Sequence, residues 1–429
     1  MGESPRQAGE TQSRWAWVER AVWTERMLAA LETGVKGGRW FSLMDKVYAL
    51  QNLAAAWEKV RTRKGSGVDG QTARDFEARK EMELTRLSEE LRNGTYEPRP
   101  VKRVHIPKPG SQETRPLGIP AIRDRVVQAA LRNVLTPIFE RKFAPHSYGF
   151  RPGRGCKDAL RRVQGLLDQG YTWVVDADLQ KYFDTIPHEG LMKEIEVEVA
   201  DGRVLDLLRL YLKQGVMEGL ETWVPDEGTP QGAVISPLLA NIYLHPVDVE
   251  MASSGQEMVR YADDVIVLCR TEAEAVAALS RLRERVESRG LTLHPTKTRV
   301  VDALQPGGFD YLGYHFERGM RWPREKSLKK LRDSIREKTS RTNGNSLSTI
   351  IADVNRTLRG WFEYFKHSHP TTFPNVDKWV RMRLRSILRR RMGKPGRGRG
   401  SDHQRWPNAF FRSEGLFTMT EARAALCRP

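Results

Sequence analysis

Residues 257–269 read EMVRYADDVIVLC and set two carboxylates, Asp263 and Asp264, side by side between apolar, β-type runs. Neighbouring ionised carboxylates repel, and burying them without a partner is costly. Two readings account for them: the tip of a hairpin, where Asp is a common turn residue, or a site for a divalent cation. A cation would need a further ligand from another strand. The candidate is Asp178 in VVDADLQKYFDTIPH (174–188), at the end of an apolar run. Strand alternation puts Asp176 on the same face as Asp178, but Asp178 lies closer to the open end. Asp184, followed by Thr-Ile-Pro-His, is read instead as a helix cap. Asp178, Asp263 and Asp264 together make a hard, oxygen-only set that suits Mg²⁺, with Mn²⁺ as the alternative ion. Two such ions activate a 3′-hydroxyl and stabilise a leaving pyrophosphate. Phosphoryl transfer otherwise asks for positioning and positive charge. Lys108 in IPKPG and Arg115 in RPLGI offer that charge on either side of a turn, although each taken alone reads as well as a surface cation.

These residues need elements to hold them. Residues 101–120 read as two strands around a Pro/Gly turn, and a helix is expected from about 123 to 140. SYGFRPGRG (147–155) reads as a loop before another helix, and YTWVVDADL (171–179) as a buried strand. Helices are expected over about 188–217. TPQGAVISPLLANIYL then turns into a buried helix, followed by the acidic hairpin and a helix at 272–289. Strands are expected at 297–303 and 309–316. Residues 14–60 and 72–93 look helical, with the GSGVDG loop (65–70) between them. From about 325 the pattern is helical and basic, and GKPGRGRG (393–400) reads as a flexible linker.

Bulk properties narrow the class. The chain of 429 residues is long enough for two or three domains. No run of about 18 apolar residues suggests a membrane span, and no secretory h-region opens the chain. Three separated cysteines, Cys156, Cys269 and Cys427, argue against a disulfide framework or a Cys-rich zinc module. The expectation is a cytoplasmic protein, with nucleoid association, that uses no membrane. The net charge of +17 is unevenly placed: residues 321–429 carry 26 Lys and Arg against 9 Asp and Glu, whereas residues 1–320 carry 45 of each. An excess so localised points to a polyanion. The Arg389–Arg391 run is the natural contact.

The ordered blocks IPKPG…RPLGIP, SYGFRPGR, DADLQKYFDTI, TPQGAVISPLLANIYL, YADD, LTLHPTKT and FDYLGY resemble the bacterial group II intron reverse transcriptases from about residue 45 to 316. LRGWFEYF (358–365) resembles the maturase region, domain X, of that family. GSGVDG resembles its additional N-terminal motif. The resemblance implies an α+β fold: a right-hand polymerase with fingers and palm, followed by a helical thumb and domain X. The corresponding divisions are an N-terminal helical extension (1–44), fingers and palm (45–319), thumb and domain X (320–395), and a basic linker and tail (396–429). The resemblance makes Asp178, Asp263 and Asp264 the metal-binding catalytic triad. It assigns Lys108 and Arg115 to the incoming triphosphate and Gln231 to the nucleotide sugar and primer end. Phe183 corresponds to the aromatic that excludes a 2′-hydroxyl, with Tyr182 as the adjacent alternative. Lys297 corresponds to a proton donor for pyrophosphate, and Tyr311, Leu312 and Gly313 to the primer grip. Arg359, Trp361 and the Arg389–Arg391 run are the expected RNA contacts.

The implied partners are group II intron RNA, an RNA template with a DNA primer or DNA target, and dNTPs. The implied activities are RNA-directed DNA synthesis and help with intron splicing and mobility. An RNA-binding splicing cofactor with little polymerase activity, and a domesticated relative used in defence or repair, are the alternatives. With only Cys427 near its end, the chain resembles the endonuclease-less, class C-like branch.

Overall fold

A computed structural model describes residues 14–35, 37–107 and 114–426. The chain forms two compact units, which divide between Val300 and Val301.

The first unit opens with α1 (Glu25–Thr33), α2 (Met44–Val47), α3 (Leu50–Val60), α4 (Ala73–Ala78) and α5 (Lys80–Asn93). Residues 15–24 form turns rather than the expected helix, although Trp15, Val18, Val22 and Trp23 are buried at helical spacing. Thr72 and Asp75 form a reciprocal capping box that starts α4. Next come β1 (Val101–Pro107), β2 (Thr114–Ile119), α6 (Ile122–Glu140) and α7 (Cys156–Asp168). Lys108 and the tip joining β1 to β2 lie outside the described residues, as does Cys427. Then follow β3 (Trp173–Asp178), a 3₁₀ turn (Tyr182–Asp184), α8 (His188–Glu196), α9 (Gly202–Leu212), β4 (Val216–Glu218) and β5 (Glu221–Trp223). The helical reading of 188–217 therefore overran. The Gly219-Leu220 tip turns 216–223 into a hairpin, and its first strand pairs parallel with β1. The unit continues with α10 (Ser236–Ser253), β6 (Glu257–Tyr261), β7 (Asp264–Cys269), α11 (Glu272–Glu287) and β8 (Arg299–Asp302), the strand in which it ends.

Two four-stranded sheets matter for the site: β2-β1-β4-β5 and β6-β7-β3-β8. In the second, the central strands β7 and β3 are apolar through most of their length, with Val265–Cys269, Val174, Val175 and Ala177 all buried. Their antiparallel register sets Val175 opposite Val267 and brings Asp178 opposite Asp264 at one end. α10 begins Ser236-Pro237 and is buried almost all round. A helix without a polar face belongs inside a core, and this one packs behind the sheet.

The second unit carries β9 (Phe309–Tyr311), β10 (Tyr314–Glu317) and β11 (Met320–Pro323), a meander in the order β11-β10-β9. The expected single strand at 309–316 is thus two strands. Leu312 and Gly313, at φ 46° and 84°, take the left-handed conformations that a tight hairpin turn requires. Helices α12 (Glu325–Lys338), α13 (Leu347–Phe365) and α14 (Thr372–Arg391) follow, then short α15 (Ser401–Arg405), α16 (Asn408–Ser413) and α17 (Met419–Leu426). α13 starts at Ser346, whose hydroxyl accepts from Thr349 N, and buries Ile350, Ile351, Val354, Leu358, Phe362 and Phe365 at helical spacing. Phe411, Leu416 and Met419 join the same core, so the segment after 400 is packed structure. The 393–400 segment is also held down. Arg389 Nε donates to the Pro395 carbonyl at 2.9 Å, and a Cβ on Gly398 would lie 3.0 Å from Arg385 Cβ.

Candidate active site

Tyr261 pairs with Asp264 across the β6–β7 hairpin, leaving Ala262-Asp263 as a two-residue turn. The turn reading of the acidic pair therefore holds. Asp178 and Asp263 line one cleft of ≈1190 Å³, together with Arg103, Arg115, Phe150, Phe183, Gln231 and Lys297. Asp264 is exposed and is not part of that lining. Among the described residues, no three acidic, His or Cys side chains converge closely enough to hold a metal by themselves. Of the three expected carboxylates, Asp178 and Asp263 line the cleft, and Asp264 is the partner of Asp178 in the β3–β7 ladder. Asp263 belongs to the turn and Asp264 to the strand ladder, and consecutive side chains diverge.

Burial, and then the charge of Asp178, raises the Asp263 carboxyl above its ordinary value; Arg115 and Arg260 partly offset this. Two carboxylates on one wall call for positive charge between them. Lys297 Nζ supplies part of it, 2.8 Å from Asp178 Oδ2. Mg²⁺ is commonly held by one or two carboxylates plus substrate phosphates and water. The donor set on this wall fits that habit. Lys297 is positioned through its loop, which is pinned to the end of β3: His294 N donates to Asp178 O (2.7 Å) and Gln180 N to Thr292 O (2.9 Å).

Opposite the carboxylates, Arg115 lies on β2. This strand touches the TPQG loop directly: Gly118 N donates to Gln231 O at 2.6 Å. Side chains there would not fit. A Cβ on Gly118 would lie 2.7 Å from Val101 Cγ1, and one on Gly232, itself at φ +106°, 2.5 Å from Gly118 O. Gln231 Nε2 donates to Asp184 Oδ2 at 3.3 Å. Asp184 therefore does not cap the next helix, whose N-cap is Pro187 without a side-chain bond. Burial raises the Asp184 carboxyl, with Arg103 and Lys181 opposing. Thr229 N donates to Phe183 O at 2.6 Å, so Phe183 and the Gln231 loop are held together.

The two candidate aromatics both line the cleft but differ in burial. Tyr182 is buried, and its hydroxyl donates to Ala240 O at 2.5 Å. Phe183 is half-buried on the cleft wall, edge-on to Phe150 with ring centres 6.4 Å apart.

Several residues escaped the sequence reading. Arg103 lines the cleft and stacks over Trp223 at 4.7 Å. Only the fold brings these two together, since they come from β1 and β5. Phe150, Lys181 and Ala262 are the described non-glycine residues before 301 with positive φ, and all three flank the cleft. Strain of this kind persists where surrounding structure enforces it and clusters at functional sites. Arg260 is 1% exposed behind the hairpin turn. An Arg following the apolar Met258-Val259 just before the acidic turn was its visible signal.

In the second unit, the β9–β10 turn bearing Leu312 and Gly313 packs on α13, with Tyr364 Oη donating to Leu312 O at 2.7 Å. Arg359 is exposed and stacks over Phe417 at 4.6 Å. Trp361 is half-buried against Phe365, so its ring serves the core. The Arg389–Arg391 run is not three equivalent cations. Arg389 bonds to Asp402 at 2.6 Å as well as to Pro395, and Arg391 donates to the carbonyl of Asn345. Arg390 is exposed.

An antiparallel sheet with carboxylates at a strand end and a hairpin tip, faced by a basic hairpin, defines a right-hand nucleic-acid polymerase. Comparison with known proteins agrees. Residues 106–316 match the reverse transcriptase (RNA-dependent DNA polymerase) family, and residues 328–406 match the group II intron maturase-specific domain. Protein YkfC of Escherichia coli is 37% identical over 291 residues, covering 59% of this chain and 76% of YkfC. The group II intron-encoded protein LtrA of Lactococcus lactis is 37% identical over 193 residues, 45% of this chain and 32% of LtrA. The putative COX1/OXI3 intron 1 protein of Saccharomyces cerevisiae is 26% identical over 408 residues, 81% of this chain and 48% of its own. The chain thus spans only part of the two intron proteins. It belongs to the group II intron reverse transcriptase family, whose members are RNA-directed DNA polymerases. Among the described residues no helix is long and apolar enough to cross a membrane.

Proposed function

We propose that this protein extends a primer along an RNA template with dNTPs in the cleft of the first unit, and that the second unit binds intron RNA and assists splicing and mobility. The observation that carries the polymerase half is the meeting of Asp178 and Asp263 with Arg115, Phe183, Gln231 and Lys297 on one cleft. Asp178 and Asp263, with Asp264 beside them, would hold Mg²⁺, or Mn²⁺ in its place. Bound there, the ions would supply a more acidic primer 3′-hydroxyl and charge for the leaving pyrophosphate.

The chain's own residues do the rest. Arg115, joined by Lys108, binds the triphosphate oxygens, because a guanidinium fork matches phosphate geometry. Phe183 fills the space a 2′-hydroxyl would need. Gln231, oriented by Asp184, hydrogen-bonds at the sugar and primer end. Lys297 holds Asp178 in place and is the proton donor to pyrophosphate. In the second unit the excess of Lys and Arg contacts RNA phosphates, and Leu312 and Gly313 support the primer strand.

Support for the maturase half is the matched domain at 328–406 and the basic excess. The test is primer extension on an RNA template by the wild-type protein, with dNTPs and Mg²⁺. Full-length cDNA is expected, and a folded, RNA-binding protein that makes none would overturn the polymerase reading.

A further inference from the structure

Ala262 sits at φ +59°, immediately before Asp263. Two-residue hairpin turns with positive φ favour Asn and Gly, because a Cβ crowds the following carbonyl in the left-handed region. Nothing in alanine itself favours this conformation, so the surroundings must impose it.

They do so through one buried network. Arg260 and Asp248 are 1% and 0% exposed. Arg260 Nε donates to Asp248 Oδ1 at 2.7 Å and Nη2 to Asp248 Oδ2 at 2.5 Å. The remaining arm, Nη1, reaches the Ala262 carbonyl at 2.8 Å and Asn241 Oδ1 at 3.0 Å. Asn241 Nδ2 donates to Gly149 O at 2.8 Å. Gly149 in turn lies flat against the turn, where a Cβ would stand 2.2 Å from Ala262 N. The same loop pairs with the main chain of Arg260: Tyr148 N donates to Arg260 O and Arg260 N to His146 O, both at 2.9 Å. The turn is thus clamped from behind by a side chain and pressed by a neighbouring loop.

We propose that Arg260 is a positioning residue for the Asp263 carboxylate, acting through the hydrogen bond from its Nη1 to the Ala262 carbonyl. The inference rests on the reading of Asp263 as a working carboxylate of the cleft. A buried ion pair alone would be satisfied by many packings, and an apolar substitute is often neutral for stability. Only a guanidinium engages Asp248 with two arms and keeps a third for the turn; an ammonium of the same charge lacks that geometry.

The test compares Arg260→Lys, Asn241→Ala and Asp263→Asn in the full chain. Thermal unfolding, single-nucleotide kcat and KM, and Mn²⁺ affinity by electron paramagnetic resonance without dNTP are measured. In Arg260→Lys, kcat and Mn²⁺ affinity should each fall by about 10- to 100-fold, the usual effect of removing a group that orients a ligand-bearing side chain. KM for dNTP should stay within about twofold, because the nucleotide contacts lie on other elements. Adding Ala262→Gly should restore part of both losses, since glycine takes the left-handed conformation unaided. Asn241→Ala keeps the Arg260–Asp248 pair and loosens the hold on Nη1. It should show the same pattern more weakly, and it decides the matter if Arg260→Lys does not fold. Unchanged kcat and Mn²⁺ affinity in the folded variants, with Asp263→Asn inactive, would overturn the proposal and leave the cleft intact. Losses that track thermal unfolding, with no rescue by Ala262→Gly, would overturn it as well. An active Asp263→Asn would instead remove the reading on which the proposal stands.

Discussion

Arginine behaves differently in the two units of this chain. Before residue 301, three of the four buried arginines among the described residues meet carboxylates, Arg260 with Asp248, Arg151 with Glu140 and Arg123 with Glu90, while Arg125 reaches main-chain carbonyls. After it, Arg383, Arg385 and Arg391 reach the main-chain carbonyls of Thr339, Trp406 and Asn345, and Arg389 divides between the Pro395 carbonyl and Asp402, while exposed arginines such as Arg336 and Arg412 still find carboxylates. The supply of acids differs in the same direction. The first 320 residues hold as many acids as bases, whereas the remainder has 26 bases for 9 acids. A balanced unit can neutralise itself internally. In the cleft, Asp178 and Asp263 lie together with Arg103, Arg115, Lys181 and Lys297, a lining that suits a metal cation held between carboxylates and substrate phosphates. In the second unit the surplus is basic, which is a demand for a polyanion. Each unit's charged residues point to the kind of ligand it takes.

The contrast can be broken at several points. The largest effect is expected at Asp178. Replacing Asp178 with Ala should lower primer extension by on the order of 10³-fold or more, because charge stabilisation in a closed site is lost. Single-turnover rates would measure it, and a near-normal rate would place the chemistry elsewhere. Next comes sugar choice. Phe183→Ala should relax discrimination against ribonucleotides by roughly 10- to 100-fold, by opening a space that the ring fills. The ratio of dNTP to rNTP incorporation efficiencies is the measurement, and an unchanged ratio would deny the gate.

Smaller effects belong to the surface. Replacing Arg390, Lys330 and Arg332, all exposed, with Gln should weaken RNA binding and flatten its salt dependence. The log–log slope should drop by about 0.7–0.9 per lost phosphate contact. Arg389→Gln should instead lower the melting temperature, since it removes the salt bridge to Asp402 and leaves that carboxylate only the Arg399 N–H. If Arg389→Gln flattened the slope and left stability alone, the division between scaffold and binding arginines would be wrong. The smallest effect concerns Asp263. Its folded-state pKa is raised by burial and by Asp178, so its ionised form opposes folding at neutral pH. Asp263→Asn should therefore raise the melting temperature slightly at pH 7, and this gain should vanish as pH falls through the raised pKa and the native Asp263 takes up its proton. A loss of stability at pH 7 would contradict that sign.

The sequence made part of this legible. The β6–β7 hairpin and β3 were readable because apolar runs ended in carboxylates, and α10 because it lacked a polar face. The β4–β5 hairpin was not: 213–223 mixes Gly, Met, Glu and Leu, and its strands exist because β1 offers an edge. Likewise the difference between Tyr182 and Phe183 depends on the 3₁₀ turn, which buries the first ring and leaves the second half-exposed at the cleft. Asp184 resembled a cap by local spacing, yet its partner, Gln231, is 47 residues away. Arginines in the tail looked like one basic surface because sequence counts charge and not the carbonyls that arginines reach.

The central claim is that synthesis and RNA assistance draw on different charges in different units. The most direct measurement uses one preparation of Asp263→Ala/Asp264→Ala protein, checked for folding, in two assays. These are cDNA synthesis from a primed RNA and stimulated splicing of the cognate group II precursor at low Mg²⁺. The account predicts that cDNA synthesis disappears while RNA binding and splicing stimulation stay near the wild-type level. Retained cDNA synthesis, or loss of splicing stimulation with RNA binding intact, would contradict it.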